Sequence, residues 1–591
     1  MPCPVPAVSR RRLVLRLAIL FAAALIAATA WAGAARALTF GVRATEGEVA
    51  DDAVVQRSQS HVLAIHDQVA ATIVTMKVEN RGATTVEVSC ELALADGERV
   101  DGFSYWNGEE RIVGEVLEKQ AAEQVYAELT GVDRDPGLLE ETADGFSFRV
   151  FPLLPTEIKP IEVRTVAPLD RREGVVTWRL PARNLPQDGA AFTLQANITD
   201  ALPIESVELV GFAGRVERKS SHHWQVHAGG DAGDTSGTRG GLKGEISIRY
   251  RLAASDYGLR FDATRPGEGE GTFSLIVTPR DEVEVDDVIG RDVVLVVDTS
   301  GSMSGGPLEQ TRQGVDHILA LLGDTDRFNV VAFESEPRAL LAGLVDATPQ
   351  HRQEARALVA GLQAGGGTNI QDALLLAWKV LATGESGRPR AVIFLTDGQG
   401  NNPPEQILGL LRDRDPNIRL YSFGAGDGVN RRFLERLARD HRGTATFVDG
   451  NSRIDDAMRR LYERISMPLM VDLTVEFEGV AVHSVYPQRL PDLYRDGEVR
   501  LFGRYSAAGK GKVRVRGRLK GAERVLELDI DLPERDERFA WAEKLWAARR
   551  IDQLIELNEQ HPTDELVQEV TRLGIVHNLV TPWTTVPAIT E

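Results

Sequence analysis

From Arg291 onward the chain alternates short apolar runs with amphipathic segments, and few folds accept that pattern. The runs "DVVLVV", "RFNVVAF", "RAVIFLT", "IRLYSFGAG" and "TATFV" are rich in β-branched and aromatic residues and show little polar alternation. A strand that is apolar on both faces has to be covered on both. The segments between them, such as "PLEQTRQGVDHILALL", "PQHRQEARALVAGL", "NIQDALLLAWKVL" and "NRRFLERLARDH", repeat apolar residues every three or four positions, as helices with one buried stripe do. Pro307 suits a first helical position. Strand and helix in alternation predict a doubly wound, mostly parallel sheet over residues 288–466, with an extra strand near Leu340–Val345.

At 591 residues the chain exceeds what one core supports, so further domains are expected. Residues 40–170 read as strands, for example "HVLAIHDQVAATIVTMKVENRG" and "TTVEVSCELAL", interrupted by one helical patch, "EVLEKQAAEQVYAEL". Residues 171–287 and 467–533 are again strand-rich, and 534–591 is helical, with Thr563 as N-cap and Gly574 as stop. The termini of a doubly wound unit lie close together, so it inserts readily into another domain. The strands of 171–287 and 467–533 are therefore predicted to form one β-sandwich interrupted by the α/β unit. The expected fold class is multidomain α/β and all-β: a Rossmann-like domain among sandwich-like modules, with a helical C-terminal tail. The Gly-rich stretch Ala228–Gly241 and the acidic stretch Arg280–Asp287 read as loops.

A formal net charge of -19 argues against nucleic acid as a partner. The basic strand "KGKVRVRGRLK" reads as one solvated face. Arg10, Arg11 and Arg12, an apolar segment from Leu13 to about Ala32 and the small-x-small Ala35-Arg36-Ala37 read as an export signal over 1–37. An uncleaved anchor is the alternative, because Leu17–Ala35 carries no charge. "SRRRLVL" loosely resembles a twin-arginine signal. The protein is expected to be exported, to a periplasm, a cell envelope or the exterior. Of two cysteines, only Cys90 follows the signal, so no intramolecular disulfide is expected, and its strand setting suggests a buried, inert thiol.

Three stretches deliver oxygen side chains to strand ends. Asp298, Ser300 and Ser302 follow the first apolar run as D-x-S-x-S, Thr368 lies in "GGGTN" before a helix, and Asp397 lies in "TDG" after "AVIFL". Ligands of open parallel sheets bind beyond the carboxyl ends of the strands, where the strand order reverses. Five hard oxygen donors without Cys or His favour magnesium, with calcium or manganese as alternatives, over zinc. Only two of them carry charge, so the cation would stay electrophilic and accept an acidic side chain from a protein partner. A serine nucleophile is disfavoured: "GSMSG" is out of register with G-x-S-x-G, and the nearest histidines, His317 and His351, sit in helical segments. The plainest alternative has Ser300 and Ser302 capping the next helix and Asp397 turning a loop.

"VVLVVDTSGSM", "GGGTNI" and "FLTDG", within Arg291–Ile465, resemble the von Willebrand factor type A domain and its metal-ion-dependent adhesion site (MIDAS). The resemblance implies that Ser300, Ser302 and Thr368 ligate directly, with Asp298 and Asp397 acting closely or through water. It also implies that a partner's acid completes the shell. "RIVGEVLEKQAAEQVYAELT", "DPGLLEE" and "FSFRVFPLLPTEIKPIEVRTVAPL", within Phe40–Leu169, resemble the vault protein inter-alpha-trypsin (VIT) domain; Tyr126 and Phe146 there are expected in the core. With the tail "GIVHNLVTPWTTV", the pair resembles inter-alpha-trypsin inhibitor heavy chains and their bacterial relatives. The implied function is metal-dependent protein binding, as an adhesion or scaffold protein, without enzymatic activity. The alternatives are an envelope protein whose metal only stabilises the fold and, less favoured, a hydrolase or transferase. The heavy chains' C-terminal Asp-Pro processing site has no counterpart at this terminus, Asp135-Pro136 and Asp415-Pro416 being internal, so covalent transfer to a glycan is not expected. By the same resemblance, Arg453–Ile465 is expected to be the helix that shifts in some relatives.

Overall fold

A computed structural model describes residues 38–588 apart from 45–52, 96, 131–136, 143–144, 173, 188, 230–244, 254–257, 279–289, 385–387, 413, 416, 426–428, 449–467, 495–496 and 520–521. The export signal, the acidic stretch Arg280–Asp287, most of Ala228–Gly241, the pair Asp135-Pro136 and the segment Arg453–Ile465 lie outside the described residues.

Strand Asp292–Asp298 shows why its sequence is continuously apolar. Val293, Leu295 and Val297 enter one core with helices Gly306–Leu321 and Pro349–Ala360. Val294 and Val296 enter another with helices Ile370–Ala382, Pro404–Arg412 and Arg431–Asp440. Alternate side chains of a strand point to opposite faces, so both faces have to be apolar. The sheet order is Pro337–Ala339, Arg327–Phe333, Asp292–Asp298, Arg390–Thr396, Ile418–Ala425, Ala445–Val448. The last five strands run parallel, and the edge strand Pro337–Ala339 is antiparallel. The extra strand expected at Leu340–Val345 is instead two short pieces, Pro337–Ala339 and Val345–Asp346, both paired with Arg327–Phe333. Asn329 holds the connection between them, its amide donating to Leu341 O and Gly343 O.

Strand order reverses between Asp292–Asp298 and Arg390–Thr396, which places a crevice at their carboxyl ends. The opposite ends of the strands are closed by ion pairs. Arg291 grips the buried Asp326 carboxylate at 2.8 Å, and Asp292, fully buried, receives Arg327 at 2.8 Å and Arg388 at 2.9 Å.

The first β-module stacks an eight-stranded sheet on a six-stranded one, with Met76, Phe103, Tyr105, Phe148, Val150 and Ile161 between them. Tyr126 and Phe146 are buried, as is Cys90, whose thiol burial pushes far above its ordinary value. The eight-stranded sheet continues past this module: Ala191–Thr199 joins Val54–His66 in parallel register, Ala191 opposite Ser58 to Thr199 opposite His66. Its extension packs on the sheet Arg171–Arg172, Val175–Leu180, Ile246–Leu252, Ile204–Val210 to form a second sandwich.

A third sandwich combines Gly258–Thr264, Gly271–Thr278, Val499–Tyr505 and Val482–Tyr486 with Leu493–Tyr494, Pro468–Glu478, Gly509–Leu519 and Ala522–Leu532. Of the described strands of 171–287, only the two between Gly258 and Thr278 therefore join the segment after the α/β domain, through Gly271–Thr278 against Val499–Tyr505. Those between Arg171 and Leu252 pack elsewhere, which differs from the single interrupted sandwich read from the sequence. Alternation reports which face of a strand is buried but carries no label for the sheet it joins. On the third sandwich's outer face, Lys512, Arg514, Arg516 and Arg518 are answered across the strands by Glu527, Glu478, Glu476 and Asp472. This basic row is an internally paired solvated face.

Helix Trp541–Gln560 and helix Asp564–His577 form a hairpin whose core includes Leu545, Ile551, Leu554, Val570 and Leu573, and also Val69 and Val166 of the first module and Tyr486 and Phe502 of the third. Thr563 is the N-cap, its hydroxyl accepting Leu566 N–H at 3.3 Å. Gly574 does not end this helix; the helix runs to His577 and Asn578 turns it at φ 55. A side chain at Gly574 would press on Leu579 O at 2.9 Å, so the glycine serves the close return of the chain. That return carries Thr584–Ala588 into the six-stranded sheet, beside Gly137–Thr142, with Leu117–Glu118 on its other side. For the same reason the helical patch of the first module starts at Lys119: Leu117–Glu118 is taken by the tail, and the Glu118 carboxylate accepts from Gln120 and Ala121 N–H. Val586 is 1% exposed in the first module's core. Val586→Asp places an unpaired charge there and is expected to lower stability by roughly 3 kcal/mol or more, read by urea denaturation. The outer-face substitution Val525→Asp should stay within about 0.5 kcal/mol.

Candidate metal centre

The loop after Asp292–Asp298 bends at once. Asp298 Oδ1 accepts Ser300 N–H at 2.9 Å, and Thr299 ties to Phe333 O through its hydroxyl at 2.9 Å. Ser300 is fully buried, Ser302 exposed, and their hydroxyl oxygens lie 3.1 Å apart. The next helix is N-capped by Gly305 with no side-chain bond, so neither serine serves as its cap. That leaves both hydroxyls directed to each other at the crevice.

The Thr368 loop is bound to this one by its main chain: Gly365 N–H donates to Thr299 O at 2.9 Å and Gly301 N–H to Gly366 O at 3.4 Å. Gly366 has φ 70, and a Cβ there would lie 2.0 Å from the Glu334 carboxylate. Only glycine lets this loop curl so closely. Asn401 N–H donates to Thr368 O at 2.9 Å, which links the Thr368 loop to the loop that carries Asp397. Asp397 Oδ1 accepts Gln399 N–H at 2.9 Å, so this residue does turn its loop as well as border the crevice. Asp298, Ser300, Thr368 and Asp397 are all buried, and Ser302 stands at the mouth.

Asp298 is the electrostatic centre. Burial pushes its carboxyl up to about 6, bonds from Thr396 and Ser300 pull the other way, and the Asp397 charge adds to the rise. Thr396 Oγ1 donates to Asp298 Oδ2 at 2.6 Å and accepts Gly398 N–H at 2.9 Å. This threonine orients the carboxylate, and the sequence offered only one hint of it, its place directly before Asp397 in "FLTDG".

The two ends of one strand now differ sharply. Asp292 is met by two arginines, whereas the bonds to Asp298 and Asp397 come from main-chain N–H groups and a hydroxyl. Two buried carboxylates, the charge of Asp397 adding to the raised pKa of Asp298, sit beside paired neutral hydroxyls, and this set fits a hard divalent cation. Among the described residues no cluster of three His, Cys, Asp or Glu side chains could hold a metal, so hydroxyls have to supply much of any shell. His351 is engaged elsewhere, its ring Nδ1 lying 2.8 Å from Asp346 O.

The family model of the von Willebrand factor type A domain matches residues 292–460, and that of the vault protein inter-alpha-trypsin domain matches residues 56–164. The chain carries both domains. It is similar to inter-alpha-trypsin inhibitor heavy chain H4 of Homo sapiens, 26% identical over 88% of this chain and 59% of that one. It is also similar to heavy chain H3 of Mesocricetus auratus, 28% identical over 56% of this chain and 40% of that one. The chain thus spans less than two thirds of the length of each of these heavy chains. Among solved structures, a von Willebrand factor type A protein from Catenulispora acidiphila is 16% identical, with a TM-score of 0.39, covering 55% of this chain and 88% of that one. Proximal thread matrix protein 1 from the mussel byssus, described with zinc in its MIDAS motif, is 24% identical over 30% of this chain and 46% of that one, with a TM-score of 0.25.

In the metal-free A domain the raised Asp298 pKa has a defined sign. The carboxyl's ordinary value is about 3.9, so the native state holds this proton more tightly than the unfolded one. The stabilisation from that proton is full below about pH 4 and is lost as pH rises through about 6. Urea titrations in the presence of chelator are expected to show this loss, and Asp298→Asn should remove it.

Proposed function

We propose that this is an exported protein that binds a protein partner through a divalent cation, magnesium in the first instance, held by its A domain. Ser300, Ser302 and Thr368 would ligate it, with Asp298 and Asp397 bonding directly or through water. The observation that carries this reading is a contrast between the two ends of the sheet: Asp292 is neutralised by arginines, while Asp298 and Asp397 border a crevice where, among the described residues, no Arg or Lys pairs with them. When bound, the cation supplies an electrophilic position that an acidic side chain of the partner can fill. This chain's own residues set that position's charge. Two carboxylates only balance a divalent ion, and the hydroxyls add none, so a further anion remains favourable.

Relationship to the heavy chains supports an adhesion or scaffold role. Export is supported by the N-terminal sequence, and among the described residues no helix is long and apolar enough to cross a membrane. Calorimetric titration of the chelator-treated full chain with Mg2+ is expected to show one site. Asp298→Ala should abolish that heat and Thr368→Ala should weaken it about 10–100-fold, the range found when residues around a metal are changed. Full-strength binding in Asp298→Ala would overturn the metal assignment. Crosslinking in cells with and without chelator then tests the partner: capture that survives both chelation and Thr368→Ala would favour a purely structural metal.

A further inference from the structure

Arg436 occupies a junction that the metal centre alone does not require. It lies on helix Arg431–Asp440, is 6% exposed, and meets three carboxylates from two other elements. Its guanidinium donates to Glu405 at 2.6 and 3.1 Å, to Glu556 at 2.8 Å and to Glu559 at 2.9 Å. Arg439 adds a bond to Glu556 at 3.1 Å. Glu405 is in the first turn of helix Pro404–Arg412, which directly follows the Asp397 loop. Glu556 and Glu559 belong to the final turns of helix Trp541–Gln560, in the C-terminal hairpin.

The other end of the same helix sits on the metal-site loop. Asn430 caps it, accepting Phe433 N–H at 3.3 Å, and Asn430 N–H donates to Asp397 O at 2.8 Å. Gly398, at φ 74, lies so close that a Cβ would be 3.1 Å from Leu434 and 3.3 Å from Asn430. The helix has 10 residues, about 15 Å of rise, and Phe433, Leu434, Leu437 and Ala438 bury it in the domain core. It behaves as a short rigid strut. The hairpin at its far end packs on Val69 and Val166, and Lys544 pairs with Asp101 at 2.5 Å, both contacts with the VIT region.

We propose that the Arg436 cluster couples the candidate cation site to the C-terminal hairpin, so that occupancy of the site and docking of the hairpin on the A domain favour one another. This rests on the metal reading above and adds a regulatory route for it. With Arg436 clamped, the Asp397 loop is held between two anchored helices in the shape the cation needs. With the clamp open, the cation has to impose that shape. Linkage is reciprocal, so the cation would also tighten the hairpin.

The test uses the full chain, Mg2+ alone, and the double variant Glu556→Gln, Glu559→Gln. That variant leaves Arg436 paired with Glu405 and so avoids an unpaired buried charge. Arg436→Met serves as a second, more severe variant. Calorimetry is expected to show Mg2+ binding weakened about fivefold or more. Hydrogen exchange in helix Trp541–Gln560 should slow on adding saturating Mg2+ in the unaltered protein, and this protection should be lost in both variants. A merely structural ion pair would lower thermal stability yet leave Mg2+ affinity and Mg2+-dependent protection unchanged, and that result would overturn the coupling. An unaltered protein that gives no Mg2+ heat would overturn the metal reading first and the coupling with it.

Discussion

Closure of the chain on itself is the constraint from which the rest of this architecture follows. Strand Thr584–Ala588 completes a sheet whose other strands lie between Phe40 and Leu153, more than 400 residues earlier. Val586 and Ala588 thereby become part of the VIT core. Everything between has to be arranged so that the chain can return. The helical hairpin makes that possible, because it has apolar contact with the first and third sandwiches and ionic contact with the A domain. The A domain is also tied to the third sandwich directly, Arg419 pairing with Asp492 at 2.8 Å. Such contacts make the insertion site a defined platform instead of a tether.

Charge is distributed by the same economy throughout. Where buried acids support the fold, arginines meet them: Arg291 with Asp326, Arg327 and Arg388 with Asp292, Arg260 with Asp67 at 2.6 Å. A buried charge without a partner costs several kcal/mol, so pairing is the rule. Asp298 and Asp397 depart from it at the sheet's switch point. That departure from the pattern of the other buried acids is what the proposed cation site rests on.

Much of this architecture is legible in the sequence. The uninterrupted apolar run of Val293–Val297 required a sheet covered on both faces, and the three oxygen-bearing stretches required that their strand ends meet. Thr563 was legible as a cap because its chemistry is local. Gly574 was misread as a stop, because what makes it glycine is a contact with Leu579 O rather than a helix end. Thr396 and Arg436 carry no signal of their own in the sequence. A threonine ending a strand and an arginine on a helix are common, and only their partners, Asp298 on one side and Glu556 on the other, distinguish them.

The sequence by itself determined the periodicities, and with them the class of each segment, the α/β domain and the set of oxygen donors at its strand ends. These follow from local rules: which faces are apolar and which residues turn, cap or carry charge. Tertiary structure alone decided which sheet each alternating strand joins, that the second sandwich shares a sheet with the VIT region, and that the tail returns to close it. Pairing between strands hundreds of residues apart is settled by packing and backbone hydrogen bonds that any alternating segment can offer. Neither periodicity nor composition records the choice.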